Sequence, residues 1–161
     1  MRKIIVIGCP GSGKSTFSRS LSDKTGILLY HLDMMYWNTD RTTVEKSVFR
    51  ERLETVLLKD TWIIDGNYAS TMEERMVACD TVFFLDYSSE VCLKGIEARK
   101  GKARSDIPWI ETDFDEEFIE FIKGYNELQR PRVLELLKKY NDKNIFIFSD
   151  REQADKFLNQ F

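Results

Sequence analysis

Histidine, cysteine and proline are scarce in this chain, and neither sign of charge dominates. The single histidine, His31, and the three cysteines, Cys9, Cys79 and Cys92, show no CxxC or Cys/His spacing. That excludes a zinc finger or ribbon and a disulfide framework. The thiols read as reduced, with Cys79 and Cys92 as small core hydrophobes, and the expected compartment is the cytoplasm. The 24 basic and 27 acidic residues leave a formal charge of −3. The basic excess of a dedicated nucleic-acid binder is lacking, so direct DNA binding is not expected. No apolar run approaches the ~18 residues of a bilayer span, so no membrane association is expected. Arg2-Lys3 leads straight into a short apolar run and a glycine loop, unlike a signal peptide. Repeats, low-complexity tracts and linkers are missing too. The 161 residues read as one domain, 1–161, large enough for its own core.

Short, continuous apolar runs are present instead: Lys3–Ile7, Trp62–Ile64, Val82–Leu85 and Ile145–Phe148, with Ile27–Tyr30 as a weaker fifth. Continuous rather than alternating apolar character suits strands covered on both faces, as in a parallel sheet. Helical spacing recurs between them, in Val44, Val48, Phe49, Leu53, Val56 and Leu57, and again from Phe114 to Leu128. Pro131 is expected to interrupt the second pattern and open a helix over Arg132–Tyr140. Ser149-Asp150 reads as the cap of a last helix, Arg151–Asn159. Strands alternating with helices predict βαβ units in a three-layer α/β sandwich. The stretch Lys100–Asp113 has no clear period and reads as a loop or short lid.

The most informative motif is Gly8-Cys9-Pro10-Gly11-Ser12-Gly13-Lys14-Ser15, which fits G-x-x-x-x-G-K-[ST] at every fixed position. It follows a strand-like run and precedes a helical stretch, Ser15–Lys24, as a phosphate-binding loop requires. Glycines at 8, 11 and 13 let the backbone curl so that its N–H groups point inward. With the helix N-terminus, those N–H groups form an anion nest. Lys14 can reach the β- and γ-phosphates of a nucleoside triphosphate, and the Ser15 hydroxyl can ligate Mg²⁺. Thr16 falls near the α-phosphate. Cys9 needs only to be small, since the backbone does the binding.

Candidate partners of the loop lie at strand ends, where open α/β sheets bind ligands. Asp65 closes Trp62-Ile63-Ile64-Asp65 and is placed to hold Mg²⁺, usually through water, although Asp65-Gly66-Asn67 is also a turn signal. Asp86 ends the next run and reads as a cap or turn residue. His31-Leu32-Asp33 follows the second run. Asp33 could accept a proton from an acceptor hydroxyl or position the acceptor, and a helix cap is its structural alternative. His31 reads as structural or orienting. Arg99 and Arg104 bracket the lid-like stretch and are candidates to close over transferring phosphate, whose charge spreads over its equatorial oxygens. Arg75, Arg130 and Arg132 are weaker candidates. Tyr36-Trp37 and Asn67-Tyr68 are expected in loops, with Trp109 in the lid, leaving room for stacking on a base or sugar.

This order of elements resembles the adenylate kinase-like branch of P-loop kinases. The runs around Tyr30-His31-Leu32-Asp33, Asp65-Gly66-Asn67-Tyr68 and Arg99 to Arg104 resemble the small bacterial proteins called topology modulation proteins, over nearly the whole chain. The resemblance implies a P-loop nucleotide kinase-like fold with a five-stranded parallel sheet in the order 2-3-1-4-5. It implies ATP with Mg²⁺ as donor, an acceptor-side helical region at about 34–60, a short lid at about 99–113, and Ser149–Arg151 near the adenine. Adenylate kinases carry Asp-Gly-Phe-Pro-Arg-Thr where this chain has Asp65-Gly66-Asn67-Tyr68-Ala69-Ser70. The acceptor-phosphate arginine of that motif is missing, which argues against AMP. The expected activity is transfer of the γ-phosphoryl group of Mg·ATP to a small-molecule or nucleotide acceptor. The alternative is a regulatory P-loop NTPase that affects DNA topology or another partner.

Overall fold

The computed structural model describes residues 1–161. Its sheet is formed by β1 (Lys3–Gly8), β2 (Leu29–His31), β3 (Trp62–Asp65), β4 (Thr81–Leu85) and β5 (Asn144–Phe148). The spatial order is β2-β3-β1-β4-β5, and every pairing is parallel. The apolar runs are continuous because the sheet is covered on both sides. Ile4, Val6, Ile63, Phe83 and Leu85 enter one core with Phe17 and Leu21, while Ile5, Ile7, Ile64, Val82 and Phe84 enter the other with Phe49 and Leu53. Alternate residues of a strand point to opposite faces, so each run feeds two cores at once. Cys79 and Cys92 are buried among them, as expected.

The helices are α1 (Lys14–Thr25), α2 (Leu32–Tyr36), α3 (Lys46–Leu57), α4 (Ala69–Ala78), α5 (Ser89–Arg99), α6 (Glu116–Leu128), α7 (Arg130–Lys139) and α8 (Arg151–Leu158). Pro131 lies in the first turn of α7, so that helix opens two residues before Arg132, where the missing N–H costs nothing. Asp150 caps α8 by accepting from Gln153 N. Tyr36 corrects an expectation: it is the last residue of α2, not a loop residue. The first turn begins at Leu32 because His31 ends β2, which puts Asp33 on a helix rather than in a turn.

Strand register brings the site together. His31 pairs with Asp65, Val6 with Asp65, and Gly8 with Leu85. The carboxyl ends of β2 and β3 therefore finish level with Val6, while β1 runs two residues further to end level with β4, and the glycine loop leaves from the middle of the sheet.

Candidate active site

Between β1 and α1 the chain turns through Gly8–Gly13. Gly11 and Gly13 have φ of 85° and 91°, in the left-handed region that side chains oppose. Close packing adds a second demand for glycine. A Cβ on Gly11 would lie 2.0 Å from the Cys92 carbonyl oxygen, and one on Gly95 would lie 2.0 Å from the Gly11 carbonyl oxygen. The loop thus rests directly on the backbone of α5. Asn67 fixes its start, accepting from Gly8 N at 3.1 Å and donating to Gly8 O at 2.7 Å. The Cys9 thiol is held protonated by its hydrogen bond with Cys92 and by burial. Cys9 is a packing residue here, not a nucleophile.

A cleft of about 1030 Å³ opens over this loop. Gly11, Gly13, Lys14, Ser15 and Thr16 line it, with Pro10 at its edge. Ser12 is fully buried beneath the loop. Lys14 donates to the Cys9 carbonyl at 3.3 Å. Burial lowers its pKa, and the charges of Asp65 and Asp33 oppose that shift. A buried ammonium with one long hydrogen bond and no ion pair is available to an anionic ligand.

The cleft is lined by several groups of side chains. One group lies on or beside α5 and α6 and comprises Val91, Phe114, Phe118 and Phe121, and Arg151 also lines the cleft. Arg151 donates to the Gly11 carbonyl at 3.2 Å. Its neighbours Ser149 and Asp150 engage Gln153 at the α8 cap and do not line the cleft, so of Ser149–Arg151 only Arg151 reaches the proposed base side. Another group comprises Asp33, Trp37, Tyr68 and Trp109. Tyr68 donates to Asp33 Oδ1 at 2.5 Å. Tyr68 holds φ of 40°, a strained conformation for a residue with a side chain. Burial raises the Asp33 pKa, while the Tyr68 hydrogen bond and the Lys14 charge oppose the rise.

Asp65 is 4% exposed. Its Oδ1 lies 2.8 Å from His31 Nδ1, and its Oδ2 is buried without a hydrogen-bond partner. His31 therefore orients Asp65. The free buried oxygen and the Ser15 hydroxyl are hard donors that fit Mg²⁺. No three His, Cys, Asp or Glu side chains are arranged to hold a metal by themselves. A cation here would take its remaining ligands from phosphate and water, as Mg²⁺ prefers.

Segment 100–113 crosses the cleft without helix or strand. Arg99 Nε lies 3.0 Å and Arg104 Nη2 2.6 Å from Glu111 Oε1, and Arg104 Nη1 lies 3.3 Å from Asp106 Oδ2. Both predicted arginines reach the cleft, paired with carboxylates. Trp109 meets Trp37 edge-on with ring centroids 5.2 Å apart, and Arg41 sits over Trp109.

Other candidates fall elsewhere. Arg75 is fully buried and donates to the carbonyls of Gly66, Asn67 and Tyr68, so it builds the turn after β3. Arg130 forms a bidentate pair with Asp86 at 2.8 Å in each contact, and Arg132 is exposed; neither lines the cleft. Asp86 is thus an ion-pair partner rather than a cap. Asp106, Glu111, Arg19 and Gly95 line the cleft unforeseen. Only the charge density of 100–113 hinted at the first two.

No protein-family model matches the chain, and no curated protein matches it in sequence. Solved structures do match in shape. A shikimate kinase from Bacteroides thetaiotaomicron aligns over 98% of this chain and 94% of its own, at 20% identity and a TM-score of 0.55. That likeness, with the strand order and the glycine loop, gives the chain a P-loop kinase fold.

Proposed function

We propose that this protein is a P-loop phosphotransferase that moves the γ-phosphoryl group of Mg·ATP to a small-molecule or nucleotide hydroxyl. The observation that carries the reading is the meeting of Lys14 and Asp33 in one cleft over the glycine loop. The loop amides and Lys14 would grip the polyphosphate. Ser15 and Asp65 would hold Mg²⁺, which when bound neutralises charge on the phosphates. Asp33 would take the proton of the acceptor hydroxyl as its oxygen attacks phosphorus in line. A carboxyl whose pKa is raised by burial is a better base than one in water. Arg99 and Arg104 would exchange Glu111 for the charge developing on the transferred group. The aromatic side chains of Trp37, Tyr68 and Trp109 would hold the body of the acceptor. A structural neighbour named for the kinase of a small molecule favours a small-molecule acceptor.

The test is coupled ADP release, screened against nucleosides, nucleoside monophosphates and small polyols. Turnover stimulated by one class, and reduced about 10²- to 10³-fold in Lys14→Ala, is the expected result. Hydrolysis that no acceptor stimulates would support the regulatory NTPase instead. Unchanged ATP affinity and turnover in Lys14→Ala would remove both.

A further inference from the structure

The crossing segment delivers one carboxylate that a phosphate loop does not by itself require. Ser15 Oγ donates to Asp106 Oδ2 at 3.1 Å, across 91 residues of sequence. Asp106 is 5% exposed. Its Oδ2 also meets Arg104, but its Oδ1 is buried with no hydrogen bond and only a loose approach to Arg19 Nη1 at 3.9 Å. Oδ2 of Asp65 is likewise buried and unpartnered. Burying carboxylate oxygens short of partners is costly, and proteins relieve that cost with a cation. The Ser15 hydroxyl and two under-satisfied carboxylates bordering the same cleft are the hard-oxygen donors that a small divalent ion selects.

Asp106 could instead mimic a phosphate. A phosphate mimic would sit on what binds phosphate, the loop amides and the Lys14 ammonium. Asp106 has no hydrogen bond from either; its contact with the loop is through the one hydroxyl suited to the metal. We propose that Asp106 supplies an oxygen to the divalent cation at Ser15. The cation is then held jointly by the phosphate loop and segment 100–113, and its binding fastens the segment over the loop. This inference rests on the nucleotide-binding reading above and extends its metal site to a residue on the lid.

Mn²⁺ is the probe, with free ion followed by electron paramagnetic resonance at saturating ADP. Asp106→Asn is expected to weaken Mn²⁺ binding about ten-fold or more, to leave ADP affinity in EDTA unchanged, and to be partly rescued in Asp106→Glu. Trypsin gives a second readout, because Arg99, Lys100, Lys102 and Arg104 offer cleavage sites in and beside the segment. Mn·ADP is expected to slow cleavage there in the wild type, relative to ADP in EDTA, and not in Asp106→Asn. Equal Mn²⁺ affinity in wild type and Asp106→Asn would overturn the proposal. Tighter ADP binding by Asp106→Asn in EDTA, with Mn²⁺ affinity unchanged, would overturn it in favour of the phosphate mimic. Should circular dichroism show Asp106→Asn unfolded, wild-type cleavage decides: equal rates in Mn·ADP and in EDTA·ADP overturn it. A wild type that binds no ADP under either condition would sink the nucleotide-binding reading itself, a distinct failure.

Discussion

The glycine loop and the segment that crosses it bind by opposite means. The loop presents backbone: its amides, its glycines and the start of α1 come from eight consecutive residues, braced from outside by Asn67 and α5. Segment 100–113 presents side chains, and several reach distant partners, Asp106 on Ser15 and Trp109 on Trp37 and Arg41, while Arg104 pairs within the segment. One half is shaped by glycine backbone seated on α5. The other is held by charge pairs and ring contacts, which ligands can replace.

The largest effect is expected at Asp33, a side chain on α2 that faces the cleft from outside both halves. Asp33→Asn should cut turnover by about 10²- to 10⁴-fold, the usual range for a lost general base, in the ADP-release assay. The same variant should gain stability. Burial raises the folded pKa of Asp33 above its unfolded value, so its stabilising contribution is present at low pH and lost as pH rises through the folded value. The melting-temperature gap between Asp33→Asn and wild type should therefore widen from pH 4 to pH 8. Each kcal/mol of relieved desolvation corresponds to about 2–4 °C in a domain of this size. A gap that shrinks with pH would remove the raised pKa.

Gly95→Ala tests the backbone half. Its Cβ would meet the Gly11 carbonyl at 2.0 Å, so either α5 or the loop must move. Overpacking of this kind costs about 1–3 kcal/mol. The expected outcome is weaker ADP binding by calorimetry together with a lower denaturation midpoint, whereas Gly101→Ala, with nothing within 4 Å, spares the loop. Normal affinity in Gly95→Ala would show that the loop does not depend on α5.

The smallest effect is expected at Glu111, which neutralises Arg99 and Arg104. Glu111→Gln should free Arg99, leave Arg104 paired only with Asp106, and tighten metal-free ATP binding several-fold, by roughly the 1 kcal/mol of a well-placed ion pair. Weaker binding would mean that Glu111 aims the arginines rather than occupying them.

The fold and half of the site were legible in sequence. Four strands lie deep in the sheet or on its β5 side and read as unbroken apolar runs. Leu29–His31, a half-buried edge, gave only a weak signal. Helix α4 left no apolar stripe because it buries Arg75 and Thr71. Helix α5 left none on its loop side because it packs there through Gly95. Lys14 and Ser15 are fixed by the glycine-loop motif at the start of α1, and Asp65 and Asp33 lie at or just beyond strand ends, where position nominates them. Asp106 and Glu111 lie in a stretch with no period, and only the chain's return over the loop shows that they face it. Arg75 and Arg130 were open candidates because a sequence does not say which arginines are already spent on carbonyls or on Asp86.

The contact between Trp37 and Trp109 has a practical corollary. The chain has three tryptophans, and the third, Trp62, is sealed inside β3. Two indoles thus straddle a seam between the crossing segment and the residues that follow α2, while the third lies sealed in the core away from it. The protein carries its own optical gauge, and its emission spectrum reads whether that seam is shut without any dye being attached.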